Sequence, residues 1–167
     1  MNNLSEGEAE AELLKCCGST LWARRMAAER PFHDLEHLLA AANAVWWALD
    51  AEDWLEAFSR HPKIGEKDSE RLQAQDARQW SEQEQAGTRS ADEETKLSLA
   101  EANREYERKF GYIYIICATG KTADEMLSIL KERLQNDADR ELRIAAEEQR
   151  RITHLRLQKL LTQESEV

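Results

Sequence analysis

Residues 110–118 read F-G-Y-I-Y-I-I-C-A, and the reading of this stretch decides the fold class. Its β-branched and aromatic content favours an extended backbone. It is the one strand-like segment in the chain, and no second stretch of sustained apolar–polar alternation offers it a partner. The stretch is therefore expected to be an extended or short helical segment buried in the core of an otherwise helical protein.

Helical signals surround it. Upstream, Thr95 to about Phe110 is expected to form a long helix with Leu97, Leu99, Ala102, Tyr106 and Phe110 pointing one way. Downstream, Thr122 with Glu125 three residues on forms a capping box, and a long final helix is expected from Asp139 to about Thr162. Only two prolines, Pro31 and Pro62, and six glycines interrupt 167 residues, and so few breakers favour helices. Towards the N-terminus, helices are expected from about Glu8 to Cys17, after Ser19, from Leu35 to about Leu49 behind Asp34, and from Asp53 to the break at His61-Pro62. The polar stretch Asp68 to Arg78 is helical in propensity, and Ser81 is expected to open a further helix. The expected fold class is thus all-α: a single compact helical domain of roughly eight helices spanning residues 1–167, with its core at about 10–160.

Composition narrows the function. Charged residues make up 34% and apolar ones 41%, with a net charge of -10. This is neither a disordered composition nor a membrane one, and so acidic a chain argues against a nucleic acid partner. No apolar run approaches the length of a membrane span. Cys16, Cys17 and Cys117 suit neither a disulfide framework nor a zinc site, so reduced thiols in a cytoplasmic protein are expected. The acidic N-terminal stretch has no secretory signal pattern, and the terminal E-S-E-V is not a peroxisomal tripeptide.

Four short patterns carry chemistry. His33-Asp-Leu-Glu36-His37 matches the H-x-x-E-H form of inverted zinc proteases; against this, Asp34 and Glu36 suit a first helical turn by charge alone, and nothing marks a third ligand. Ser81-Glu-Gln-Glu84-Gln85 reads as a capping box. It also places Ser81, Glu84 and Gln85 on one face at a helix N-terminus, where N–H groups and partial positive charge suit an anionic or amide-bearing ligand. His61 is either a surface residue or satisfied core polar group, or a proton-handling imidazole: Pro62 fixes the backbone after it, Gly65 permits a turn, and an imidazole held there can exchange protons near neutral pH. Arg156, in I-T-H-L-R-L, is either a solvent-exposed residue or a guanidinium that pairs with a carboxylate. Trp46, Trp47 and Trp54 are either core or the face of a non-catalytic helical binding module.

Taken in order, R-P-F (30–32), D-W-x-x-A-F (53–58), H-P-K-I-G (61–65), S-x-x-E-Q (81–85), A-G (86–87), N-x-x-Y-x-x-K-F-G (103–111), I-I-C-A (115–118) and L-R-L (155–157) resemble the 2-oxo-4-hydroxy-4-carboxy-5-ureidoimidazoline (OHCU) decarboxylase family of urate breakdown. The resemblance implies an all-α fold, a homodimer, no cofactor and no metal. It implies loss of carbon dioxide from OHCU to give (S)-allantoin. On this resemblance His61 is the catalytic histidine and Pro62 a neighbouring substrate contact. Ser81, Glu84 and Gln85 bind the ureidoimidazoline, with Glu84 sharing in catalysis. The backbone of Tyr114, Ile115, Ile116, Cys117 and Ala118 lines the pocket, and Arg156 binds substrate. Thr119 departs from the arginine that many animal members carry after Cys-Ala, which suits a bacterial-type member.

Overall fold

The computed structural model describes residues 1–64, 75–88 and 91–165. Gly65 and most of the stretch expected to be helical over 68–78 lie outside these residues. Among the described residues there are eight α-helices and no strand: α1 (Glu6–Cys17), α2 (Thr20–Ala28), α3 (Leu35–Trp47), α4 (Ala51–Ser59), α5 (Gln75–Glu84), α6 (Glu93–Phe110), α7 (Ala123–Arg133) and α8 (Ala138–Ser165). A 3-10 turn at Ala86–Thr88 follows α5. None of the described helices is long and apolar enough to cross a membrane. The chain divides into two units, one of residues 1–57 with 149–167 and one of residues 58–148.

In the first unit the helix starts are set by side-chain caps. Ser5 and Glu8 form a capping box at α1, Ser19 Oγ accepts from the Trp22 N–H at α2, and Asp34 accepts from the His37 N–H at α3. Each cap satisfies a backbone donor that the helix itself leaves unpaired. Leu13, Trp22, Met26, Leu38 and Trp46 are fully buried. Trp22 also donates its indole N–H to the Ala42 carbonyl at 3.2 Å, so its polar edge is satisfied inside the core. Residues from the second half of α8 complete the unit: Gln149 donates to the Cys17 carbonyl, and Arg150 and His154 both meet Asn43 Oδ1.

Burial pushes the Cys17 thiol up to about 12 and raises that of Cys16 as well, with Arg156 pulling both in the opposite direction. A folded-state value above the unfolded one means that, as pH rises past 9.0, the unfolded chain loses thiol protons that the folded chain keeps. Stability therefore falls with rising pH through this window. We expect the urea midpoint to drop steadily between pH 9.0 and about 12, and a Cys16→Ala/Cys17→Ala double variant to show a shallower decline.

The second unit is built around α6, α7 and the stretch between them. Asp92 caps α6 through the Thr95 N–H at 2.7 Å, and Thr95 Oγ1 donates to Asp124 of α7. Gly111 ends α6 at φ 80°, a left-handed conformation that favours glycine. Leu99, Ala102 and Tyr106 face the core as expected and Phe110 packs against it, but Leu97 is 70% exposed. Two residues apart on a helix are about 200° apart around the axis, so Leu97 and Leu99 cannot share a face.

Residues 113–118 run without helical turn or bend, and residues 114–118 are all buried. Their side chains alternate: Tyr114, Ile116 and Ala118 join the apolar cluster of Leu99, Met126 and Leu130, whereas Ile115 and Cys117 do not. That two-residue period marks an extended backbone. Of the two conformations the sequence left open, the structure shows the extended one.

An extended segment without a neighbouring strand must find side-chain partners for its backbone. Arg133 supplies one, donating from Nη1 to the Ile115 carbonyl at 2.8 Å. It is held in turn by a buried ion pair with Glu141 at 2.6 Å and lies over the ring of Tyr114. Tyr106 Oη donates to the same carboxylate, as does Asn136 Nδ2. Removing one member of a buried pair leaves the other charge uncompensated. Glu141→Ala is expected to cost about 3–5 kcal/mol, read as a lower urea midpoint.

Candidate active site

The second unit contains every expected site residue except Arg156. His61 stands two residues after the end of α4, and its N–H donates to the Phe58 carbonyl at 3.1 Å. His61 and Pro62 are half-buried. The loop is anchored on both sides: Phe58 packs on the Tyr112 ring, and Ile64 is buried in the same cluster as Tyr114 and Ile116. Lys63 pairs with Glu107 of α6 at 2.8 Å. The proline thus ends the helix, and the residues around it tie the histidine to the extended segment's core.

Ser81 does not open a helix. It lies within the last turn of α5, and its carbonyl accepts from the Gln85 N–H at 3.0 Å. The capping-box reading fails because nothing in Gln75–Trp80 stops a helix, so the turns simply run on through Ser81 to Glu84. Ser81 and Glu84 are buried nonetheless, at 4% and 8% exposure. The correction changes the chemistry on offer. A helix C-terminus carries partial negative charge and carbonyls without intrahelical partners. With Glu84 it forms an end suited to N–H donors, not to an anion.

The 3-10 turn after α5 is brought against the turn that follows the extended segment. Burial is the main cause that raises the Cys117 thiol, with Lys121 opposing and the Glu148 and Glu84 charges adding to the rise. Just beyond, Gly87 meets the turn after the segment so closely that a Cβ on it would lie 2.0 Å from the Lys121 carbonyl oxygen. Lys121 itself donates from Nζ to the Cys117 carbonyl at 2.7 Å.

Arg156 belongs to the first unit. It is buried, at 3% exposure, and donates to the Lys15 carbonyl. The solvent-exposed reading of this residue is therefore wrong. Ile152 and Arg156 are four apart on α8, on the buried face of that helix.

The zinc pattern has a local explanation. The His33 N–H donates to His37 Nδ1, the rings stack at 5.1 Å, and Asp34 caps the helix through the His37 N–H. No three His, Cys, Asp or Glu side chains come together as a metal-binding group among the described residues. Of the tryptophans, Trp46 is core and Trp54 donates to its carbonyl, while Trp47 is 44% exposed.

Comparison with known proteins identifies the family. The OHCU decarboxylase family model matches residues 2–158. The chain belongs to the OHCU decarboxylase family. It is 39% identical over 158 residues to the uric acid degradation bifunctional protein TTL of Arabidopsis thaliana, covering 95% of this chain and 49% of that protein. It thus spans about half the length of that relative. It is 33% identical over 143 residues to the 2-oxo-4-hydroxy-4-carboxy-5-ureidoimidazoline decarboxylase of Mus musculus, covering 84% of this chain and 79% of that one. A crystal structure of OHCU decarboxylase in the presence of (S)-allantoin superposes with a TM-score of 0.77 at 39% identity, covering 90% of this chain and 97% of that one.

Three contacts in this family member escaped the sequence: Arg133 on Ile115, Glu148 on Cys117 and the close approach of Gly87 to Lys121. Only Gly87 left a trace, as a glycine in a motif. Gly87→Ala should force the two backbones apart at a cost of about 1–3 kcal/mol, seen as a lower thermal midpoint.

Proposed function

We propose that this chain decarboxylates OHCU to (S)-allantoin in urate breakdown, without cofactor or metal, as a single domain over residues 1–167. The proposed form is a cytoplasmic homodimer. Family membership supports the reaction. The observation that carries the residue assignment is the buried Glu84 carboxylate at the end of α5, in the unit that also holds His61 and the extended segment.

The reaction needs a sink for the electron pair left when the carbon–carboxylate bond breaks. In OHCU that carbon sits next to a C=N bond, so the pair flows into the substrate itself as carbon dioxide leaves. The pair comes to rest on the ring nitrogen, which takes up a proton from water; the adjoining hydroxyl gives up its proton and becomes a carbonyl, and the ureido-bearing carbon gains a proton. The protein's part is position and proton control.

His61 takes the hydroxyl proton and returns a proton to one face of the ureido-bearing carbon, which sets the S configuration. Glu84 accepts hydrogen bonds from ureido or ring N–H groups, the role that a helix C-terminus with an added carboxylate favours. Ser81 and Gln85 complete that polar contact, Pro62 abuts the substrate, and the backbone of Tyr114, Ile115, Ile116, Cys117 and Ala118 lines the pocket. Arg156 holds a substrate carbonyl or carboxylate. Holding the departing carboxylate too tightly would stabilise the ground state and slow the step.

OHCU also decays spontaneously to racemic product, so chirality reads the enzyme directly. Wild-type protein added to fresh OHCU should give optically pure (S)-allantoin. His61→Asn should lower kcat by about 100-fold to 10,000-fold, measured by circular dichroism of the product. A variant working at the wild-type rate would remove His61 from the mechanism.

A further inference from the structure

Three side chains grip the extended segment along one edge; on the other, the Ala118 carbonyl at its end accepts from the Lys121 N–H at 3.0 Å. Arg133 Nη1 donates to the Ile115 carbonyl at 2.8 Å, the Cys117 N–H donates to Glu148 Oε2 at 2.8 Å, and Lys121 Nζ donates to the Cys117 carbonyl at 2.7 Å. All three grips fall on odd-numbered residues, which in an extended backbone share one edge.

Peptide geometry fixes what the other edge must present. The cis peptide bond in the described chain is Arg30-Pro31, so the units flanking Ile116 are trans and planar. In a trans unit the N–H and C=O point in opposite directions. Arg133 holds the carbonyl of the 115–116 unit, so the Ile116 N–H points away from Arg133. Glu148 holds the N–H of the 116–117 unit, so the Ile116 carbonyl points away from Glu148. Ile116 is left presenting one donor and one acceptor side by side.

Among the described residues neither group has a hydrogen-bond partner, although Ile116 is only 5% exposed. Buried backbone groups are seldom unpaired, because the desolvation cost goes uncompensated. A donor–acceptor pair of this spacing matches the N–H and C=O of a planar cyclic amide or a ureido group.

We propose that Glu148 is a positioning residue that, with Arg133 behind the segment, aims the Ile116 N–H and C=O at an amide or ureido edge of the substrate. This rests on the OHCU reading above. Glu148 acts through the Cys117 peptide and does not touch the reacting atoms. As an anionic acceptor it also polarises the peptide it holds, which strengthens the Ile116 carbonyl as an acceptor.

Glu148→Ala should raise KM for OHCU by about 10-fold to 100-fold with a smaller change in kcat. Glu148→Gln, whose amide oxygen still accepts from the Cys117 N–H, should recover most of the loss. A purely structural role would instead lower the melting temperature of the alanine variant and leave KM of the folded protein unchanged. In 15N-labelled wild type, (S)-allantoin should shift the Ile116 amide resonance, and the shift should shrink in Glu148→Ala. An unchanged KM in Glu148→Ala, a glutamine variant as impaired as the alanine one, or a wild-type Ile116 amide that ignores (S)-allantoin would each overturn the proposal. The last result decides the matter even if the alanine variant does not fold. A wild-type protein that leaves OHCU decay racemic overturns the activity reading instead, and the allantoin titration still judges Glu148.

Discussion

Much of the second unit depends on one buried guanidinium. Arg133 ends α7, pairs with Glu141 near the start of α8, covers the rings of Tyr106 and Tyr114, and holds the carbonyl of Ile115. Taking an ion pair out of water costs several kcal/mol per ion and is repaid only when geometry and further hydrogen bonds are good. Here the Glu141 carboxylate also accepts from Tyr106 and Asn136, so the charge is spread over several donors. Two well-packed apolar side chains could fill the same space. They could not hold a carbonyl. The ion pair makes structural sense because the segment beside it has a backbone that needs a donor.

That requirement explains which parts of the protein were legible beforehand. Helix existence followed from periodicity and caps: Ser19, Asp34 and the Thr122–Glu125 box all cap as their types suggest. Ser81 failed because the same S-x-x-E spacing arises inside a helix as readily as at its start. The missing signal was negative: no glycine or proline stands between Gln75 and Gln85, and Gly87 is the first breaker beyond. The burial of Arg156 could have been foreseen from its register with Ile152 and Leu160. Arg133, Glu141 and Glu148 could not, since each is an ordinary charged residue on an amphipathic helix until the segment between α6 and α7 is placed beside it.

The relocation of Ser81 and Glu84 from the beginning of a helix to its end reverses the local electrostatics. On the proposed function, an N-terminus would have favoured the substrate's carboxylate, the group that leaves. A C-terminus with an added carboxylate favours N–H donors, which the ureidoimidazoline carries and keeps through the reaction. On the proposed mechanism, binding energy then falls on the part of the substrate that does not change, and the departing group is not held in its ground state.

The feature that made residues 110–118 ambiguous as sequence is what suits them to the substrate-binding role proposed above. A strand with neighbours on both sides has its peptide groups committed. A helix commits them internally. An extended segment gripped along one edge by Arg133, Glu148 and Lys121 leaves the Ile116 donor and acceptor on the other edge in a buried place. Side chains thus do for this segment what a second strand would do in a sheet, and they do it on one side only. Among the described residues no strand pairs with this segment, and on the proposed reading the Ile116 edge is left for substrate.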